Sequence, residues 1–233
     1  MSDYEEKEFN VEEIRKMDPM DVIDQSMTSK EFREFLTTHK PLKANLTWTL
    51  DTVHQYSIPR FIPTNLPKDR HDLLVLECIS KHILDILDVQ KFHLKYGFLW
   101  DFKLEQSFPF KLTKCFESIT VQTRYDDQVA RNDLRKLFKN AINVKDLELC
   151  IELEPTSRPQ RPLVFNCESL KIGEGDWVET NDLMGATCKK IYVDGMEMSV
   201  EEAVRIVKDW RTGGGFRNLE SMEIRMSNKM DVQ

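Results

Sequence analysis

Six short segments constrain this chain more than anything else in it. They are Phe92-His93-Leu94, Ile119-Thr120-Val121, Leu147-Glu148-Leu149, Leu170-Lys171-Ile172, Ile191-Tyr192-Val193 and Met222-Glu223-Ile224. Each sets two apolar residues either side of one other residue, the period-two signature of a strand with one buried face. Successive segments start 21 to 31 residues apart, at positions 92, 119, 147, 170, 191 and 222. Three of them share a Glu-Ser lead, at Glu117-Ser118, Glu168-Ser169 and Glu220-Ser221.

Amphipathic helices fit between several of these strands. Residues 69–88 place Leu73, Leu76, Ile79, Ile83 and Leu87 along one stripe, and residues 127–140 do the same with Ala130, Leu134, Leu137 and Phe138, extended by Ala141. Ser199-x-x-Glu202 is a capping box opening a helix with Ala203, Ile206, Val207 and Trp210 on one face. Gly213-Gly214-Gly215 ends it, because glycine accepts the left-handed conformation of a C-cap. Strand, helix and parallel strand in succession require such crossovers. One strand per 20 to 29 residues is also the period of leucine-rich repeats. The fold class is therefore α/β (α+β overall): a short helical head followed by a leucine-rich-repeat-like β/α solenoid body over 68–230. An ordinary α/β domain with coincidental spacing is the alternative.

The head occupies residues 10–40. Asn10 caps a first turn with Val11, Ile14 and Met17. Asp18-Pro19 restarts the chain as N-cap and first helical residue, and Val22, Ile23, Ser26 and Met27 form the inner stripe of the second helix. Thr28 with Glu31 reads as a capping box for a third helix carrying Phe32, Phe35 and Leu36, ended by Pro41. Residues 41–67 form a proline-punctuated connector (Pro41, Pro59, Pro63, Pro67) with short strands. Leu46 to Leu50 alternates, Val53 to Ile58 is a weaker candidate, and together they suggest one hairpin-like element.

Charge separates the two ends. The chain carries a net charge of -7, and residues 1–24 alone hold nine acids and three bases. Residues 1–9 are an acidic, partly disordered leader, and the near-neutral body suits a protein-binding surface better than a polyanion site. A nucleic-acid partner is not expected. A hydrophobic share of 40% allows a sizeable core. No apolar run approaches the roughly 18 residues of a membrane span, and neither a basic nor an apolar secretory stretch opens the sequence. Cys78, Cys115, Cys150, Cys167 and Cys188 are odd in number, widely spaced and free of any CxxC pair, as expected of reduced, mostly buried thiols. The expected localisation is cytoplasmic or nuclear, with no membrane partner.

No catalytic constellation stands out. The glycine-rich segment follows a helix rather than preceding one, so its amides do not cradle a phosphate at a helix N-terminus. His71, His82 and His93 are eleven residues apart, but His93 falls on a strand, and His39 and His54 lie elsewhere. Cys150 or Cys188 with a distant histidine could form a nucleophile pair, yet a small buried thiol beside a strand is the simpler role. No catalytic, cofactor or metal site is expected. Trp48, Trp100, Trp177 and Trp210 are candidate anchors. The helical stripe favours burial of Trp210. Trp177, leaving the Gly173–Asp176 turn, is either a packing residue, which is preferred, or a rim contact.

The stretch 169–226 resembles the nematode type 2 F-box-associated domain. The resemblance is carried by Leu170, Ile172, Trp177, Asp182-Leu183, Cys188 to Ile191, Ser199, Trp210, Gly213 or Gly214, and Asn218-Leu219-Glu220 before Met222 and Ile224. Glu77, His82 to Asp85 and the strand at Phe92 are similar to that family's middle region. Val11-x-x-Ile14-x-x-Met17-Asp18-Pro19-x-x-Val22-Ile23-x-x-Ser26 is similar to the latter part of an F-box whose Leu-Pro start, near residues 6–8, is absent. The resemblance implies a non-enzymatic substrate-recognition subunit of a Skp–cullin–F-box ubiquitin ligase. Val11, Ile14, Met17, Pro19, Val22, Ile23 and Met27 would dock the Skp-like adaptor, although the same side chains are what the head's own core would use. Trp177, Leu183, Cys188, Trp210, Gly214, Asn218 and Leu219 would be structural, and the body would hold an unknown target protein. The alternative is a binding module of the same family that no longer engages the ligase.

Overall fold

The computed structural model describes residues 9–50, 68–97, 108–123, 128–140, 143–154 and 161–227. The leader through residue 8, the strand candidate at 53–58, Pro59, Pro63, Pro67, His54, Trp100, Asp127 and Ala141 lie outside the described residues, as do the side chains of Pro19, Trp48, His71, Leu73 and Leu76. The chain divides into two compact units, one of Met1–Leu46 with Ile58–Lys91 and one of Thr47–Ser57 with Phe92–Gln233.

The head unit is helical. It holds helices α1 (Val11–Ile14), α2 (Pro19–Thr28), α3 (Lys30–His39) and α4 (Lys68–Ile86), and the first three open on side-chain caps. The Asn10 side chain accepts the Glu12 amide and the Asp18 side chain accepts the Met20 amide, each at 2.8 Å. The third helix is capped by Ser29, not Thr28. Ser29 takes the extended conformation and accepts the Phe32 amide at 3.2 Å. Thr28 remains the last residue of α2 and donates its hydroxyl to the Gln25 carbonyl at 3.0 Å. Lys40 then takes a left-handed conformation before Pro41. Ile14, Val22, Ile23, Phe32, Leu36, Ile86 and Leu87 bury one another in a single cluster. Helix α4, read from sequence as part of the body, supplies two polar ties to this cluster's rim. His82 meets Ser26 at 2.8 Å, and Lys40 donates to the Leu84 carbonyl at 2.9 Å.

The second unit is mixed α/β. Strands β1 (Lys43–Leu50), β2 (Asp88–Gly97), β3 (Cys115–Gln122), β5 (Asn143–Cys150), β7 (Cys167–Ile172), β8 (Lys190–Met196) and β9 (Ser221–Met226) form a seven-stranded sheet in that order. Strands β4 (Gln128–Val129) and β6 (Glu152–Leu153) pair separately. From β2 to β9 every neighbouring pair is parallel. The connections carry α5 (Phe108–Leu112), α6 (Arg131–Asn140), α7 (Thr180–Met184) and α8 (Val200–Thr212). Helix α6 starts later than the 127–140 pattern suggests, with Ala130 accepting its first amides. Strand β1 stands at one edge of this sheet, next to β2, and the second arm of the hairpin-like element expected of the 41–67 segment lies outside the described residues.

All six apolar triplets lie on strands, and their registers align. Leu94, Ile119, Leu147, Leu170, Ile191 and Met222 form one row across the sheet, and Tyr96, Val121, Leu149, Ile172, Val193 and Ile224 the next. In β2 it is Leu94, not Phe92, that occupies the repeating position, which shortens the first step to the 25 residues between 94 and 119. A further buried residue precedes each triplet by three positions in β3 to β9: Phe116, Val144, Cys167, Cys188 and Leu219. The repeat is thus apolar-x-x-apolar-x-apolar. Between β5 and β7 the core is filled from the crossover itself by Ile151, Leu163 and Phe165, the last ring 5.3 Å from Phe138 of α6. Gly175 makes the turn after β7 possible, since a Cβ there would sit 2.5 Å from Val193 and 2.8 Å from the Asp194 carbonyl.

Candidate protein-interaction surfaces

In the head, the residues read as an adaptor site do not share one surface. Ile14, Val22 and Ile23 are buried in the unit's core, Val11 and Met17 are half-buried, and Met27 is 56% exposed. Pro19 holds the first position of α2. The exposed apolar partner of Met27 is Met20, at 61%, which the sequence reading passes over. The signal was available: the two methionines are seven residues apart, two helical turns, and so share a face. The acidic Asp21 and Asp24 lie on the same exposed segment.

In the body, one buried ion pair organises the residues that carry the family resemblance. Arg131, the first residue of α6, donates to both carboxylate oxygens of Asp182 in α7. Asp182 is fully buried and also accepts the Leu163 amide at 2.6 Å and the Glu179 amide at 3.1 Å. Arg131 reaches the Trp177 carbonyl at 3.4 Å, and the Trp177 indole donates to the Ile151 carbonyl at 2.9 Å. Trp177 is therefore a half-buried packing residue with its polar edge satisfied. Leu183 and Cys188 are buried beside it in sequence order. Asp182 belongs to the motif that carries the resemblance, but its partner, 51 residues earlier, has no local signal.

Helix α8 forms as read but faces differently. Ser199 accepts the Glu202 amide at 3.2 Å while Glu202 accepts the Ser199 amide at 2.9 Å and the Thr180 hydroxyl at 3.1 Å. The Ser199 bonds, then that of Thr180, hold the Glu202 carboxyl below the usual range. Gly213 is left-handed at φ 70°, and Asp209 accepts the Gly215 amide at 2.7 Å. A Cβ at Gly214 would meet the Asp209 carboxylate at 2.5 Å. Asn218 donates to the Thr187 carbonyl at 3.3 Å and Leu219 is buried. Of α8 itself, only Ile206 is buried. Trp210, expected inside, is 43% exposed, as are Val200 (73%), Val204 (46%) and Val207 (50%). The stripe Ala203, Ile206, Val207, Trp210 is real as a spacing, but contact with the body needs only its Ile206 edge.

The residues between the buried rows are polar. Lys95, Thr120, Glu148, Lys171, Tyr192 and Glu223 are in register across the strands. Lys171 pairs with Glu148 at 2.6 Å, His93 meets Ser118 at 2.8 Å, and the Arg225 guanidinium lies 5.3 Å from the Tyr192 ring centre. Burial pushes the Cys150 thiol up, and Cys167 is raised by its bond to Cys188, 3.3 Å between sulfurs, and then by burial. Among the described residues no three metal-ligating side chains converge, and no helix is long and apolar enough to cross a membrane.

No curated protein and no solved structure matches this chain. One family model does, that of the family described as F-box associated, over residues 158–224. The match starts in the crossover that carries Leu163 and Phe165 and ends in β9, so it takes in Asp182, Trp177 and all of α8. It begins eleven residues before the stretch read from sequence, and that extension contains the Leu163 amide that Asp182 binds. Residues 158–224 of this chain are similar throughout to an F-box associated domain.

Proposed function

We propose that this protein is a substrate-recognition subunit of a Skp–cullin–F-box ubiquitin ligase. The observation that carries the reading is the F-box associated match over 158–224. The helical head is the adaptor-docking element, and the body, a leucine-rich-repeat-like solenoid, holds a target protein. The in-register apolar-x-x-apolar-x-apolar rows support the solenoid, since each repeat buries its face against its neighbours. The subunit makes and breaks no bond. It raises the local concentration of target lysines near a ubiquitin-loaded conjugating enzyme, and the gain in rate is that of effective concentration. Its place of action in this reading is cytoplasmic or nuclear, with neither nucleic acid nor membrane as partner.

Burial of Ile14, Val22 and Ile23 assigns those three to holding the head together. Adaptor contact then falls to Val11, Met17, Met20 and Met27, beside Pro19 at the first position of α2. The same burial is the observation that favours a second reading, in which the chain keeps its body but has lost the ligase. Co-purification of the full chain with a Skp-like adaptor separates the two. The first reading predicts retention that Met20→Glu with Met27→Glu abolishes. No retention of the unaltered chain, beside an intact F-box control that is retained, leaves the second.

A further inference from the structure

We infer that the outer edge of β9 pairs antiparallel with the same edge of a second copy of this chain, with Ile224 opposite itself. The contact needs no adaptor and is independent of the ligase reading.

Strand β9 comes last in the order of the sheet, and no described residue pairs with its outer edge. A bare edge is a row of unpaired backbone donors and acceptors, open to another strand. The side chains record the same opening. In the buried rows Ile191 and Val193 of β8 are 3% and 0% exposed, whereas Met222 and Ile224 beside them are half-buried and Met226 is 50% exposed. The terminal unit of a stacked array needs its outer face capped.

The sequence of the strand selects the occupant. The Ser221 amide donates to the Lys189 carbonyl at 3.2 Å and the Ser227 amide to the Met196 carbonyl at 3.1 Å, so the odd-numbered residues direct their backbone groups at β8. The irregularity in this pair of strands lies in β8, at Gly195, and leaves the alternation of β9 intact. Alternation turns the backbone groups of Met222, Ile224 and Met226 to the open edge. An antiparallel partner of the same sequence must therefore set even-numbered residues opposite even-numbered ones.

Three such registers keep most of the strand paired, and charge separates them. With Ile224 opposite Ile224 of the second copy, Met222 meets Met226 and Glu223 meets Arg225, each pair occurring twice. With Ile224 opposite Met222 or Met226, Glu223 faces Glu223 or Arg225 faces Arg225, and like charges directly opposite are destabilising. A parallel two-fold pairing would turn the apolar faces to opposite sides of the joined sheet. One arrangement thus joins apolar to apolar and acid to base. Asp194, in register with Arg225, extends the alternation of sign: Asp194, Arg225, then Glu223 of the second copy. Within one copy Arg225 and Glu223 already meet at 3.0 Å, but their side chains are 61% and 59% exposed, so exchanging that contact for its equivalent across the two-fold costs little. The contact is one strand of six residues per copy, which makes a weak dimer, dissociating in the micromolar range. Joined copies bring two heads and two bodies into one particle, and weak contacts to a repeated partner then add.

The test is sedimentation velocity of the full chain across the micromolar range. The unaltered chain should form a reversible dimer. Glu223→Lys sets lysine against Arg225, and Arg225→Glu sets glutamate against Glu223, so each variant alone should self-associate about tenfold more weakly or worse. An equal mixture of the two variants should associate like the unaltered chain, because every charge across the two-fold again meets its opposite. The double variant should also dimerise. Both positions are exposed, and unchanged circular dichroism would show that the variants fold. A chain that stays monomeric throughout, a dimer indifferent to both substitutions, or a mixture no better associated than its components overturns the inference.

Discussion

Helices α2 and α8 read alike in sequence and differ in what they do with their apolar side chains. Each opens on a side-chain cap and carries an apolar stripe. Helix α2 hides Val22, Ile23 and Ser26 in the head and leaves Met20 and Met27 outside. Helix α8 hides Ile206 alone and leaves three valines and a tryptophan outside. Periodicity states which residues share a face. It does not state how much of that face the neighbouring elements cover, and the uncovered part is where a partner has something to gain.

Breaking the comparison at its strongest point means attacking the body where burial is polar. Arg131→Ala leaves the Asp182 carboxylate buried without its counter-charge, at a cost of about 3–5 kcal/mol. Urea unfolding followed by circular dichroism checks this, and the paired Arg131→Met, Asp182→Leu variant should be far milder. Next, Leu36→Ala in the head and Leu149→Ala in the body each remove a fully buried side chain and should cost about 2–5 kcal/mol. Val204→Ala, by contrast, should stay within about 0.5 kcal/mol, because its side chain is half outside. A large loss at Val204 in thermal melts would mean that α8 is covered after all.

Smaller effects sharpen the two helix starts. Ser199→Ala removes the cap of α8 and should cost about 1 kcal/mol. Because the Glu202 carboxyl is lowered in the folded state, its contribution is complete above the ordinary glutamate range and is lost as pH falls through the lowered value. In the head, desolvation and then Arg33 lower the His82 imidazole. The folded head thus prefers neutral His82. Its stability should be full above about pH 6.5 and decline as pH drops through the folded-state value, and His82→Gln should flatten that part of the melting-temperature profile.

Much of the body was legible because strand rows obey a local rule. The triplets at 119, 147, 170, 191 and 222 lie in the rows their spacing predicted. The row three residues earlier was missed because two of its members are cysteines, Cys167 and Cys188, which read as isolated thiols rather than as repeat positions. Phe92 and Leu94 both flank His93, and only the partner strand decides which of them takes the repeating position. The Arg131–Asp182 pair was out of reach for a plainer reason: 51 residues separate its members, and no periodicity links the start of α6 to α7. Trp210 was misplaced because an amphipathic stripe carries no record of what packs on it. The Ser29 cap was displaced by one residue because Thr28 and Ser29 are equally good capping types, and the backbone conformation alone chooses.

The central claim is a division of labour, in which the head meets the adaptor and the body meets the target. Hydrogen exchange of the full chain with and without a Skp-like adaptor tests it directly. Adaptor should slow exchange within residues 11–39, around Met20 and Met27, and leave residues 200–212 of α8 unchanged. Protection of α8 by the adaptor, or no protection of the head at saturating adaptor, would contradict it.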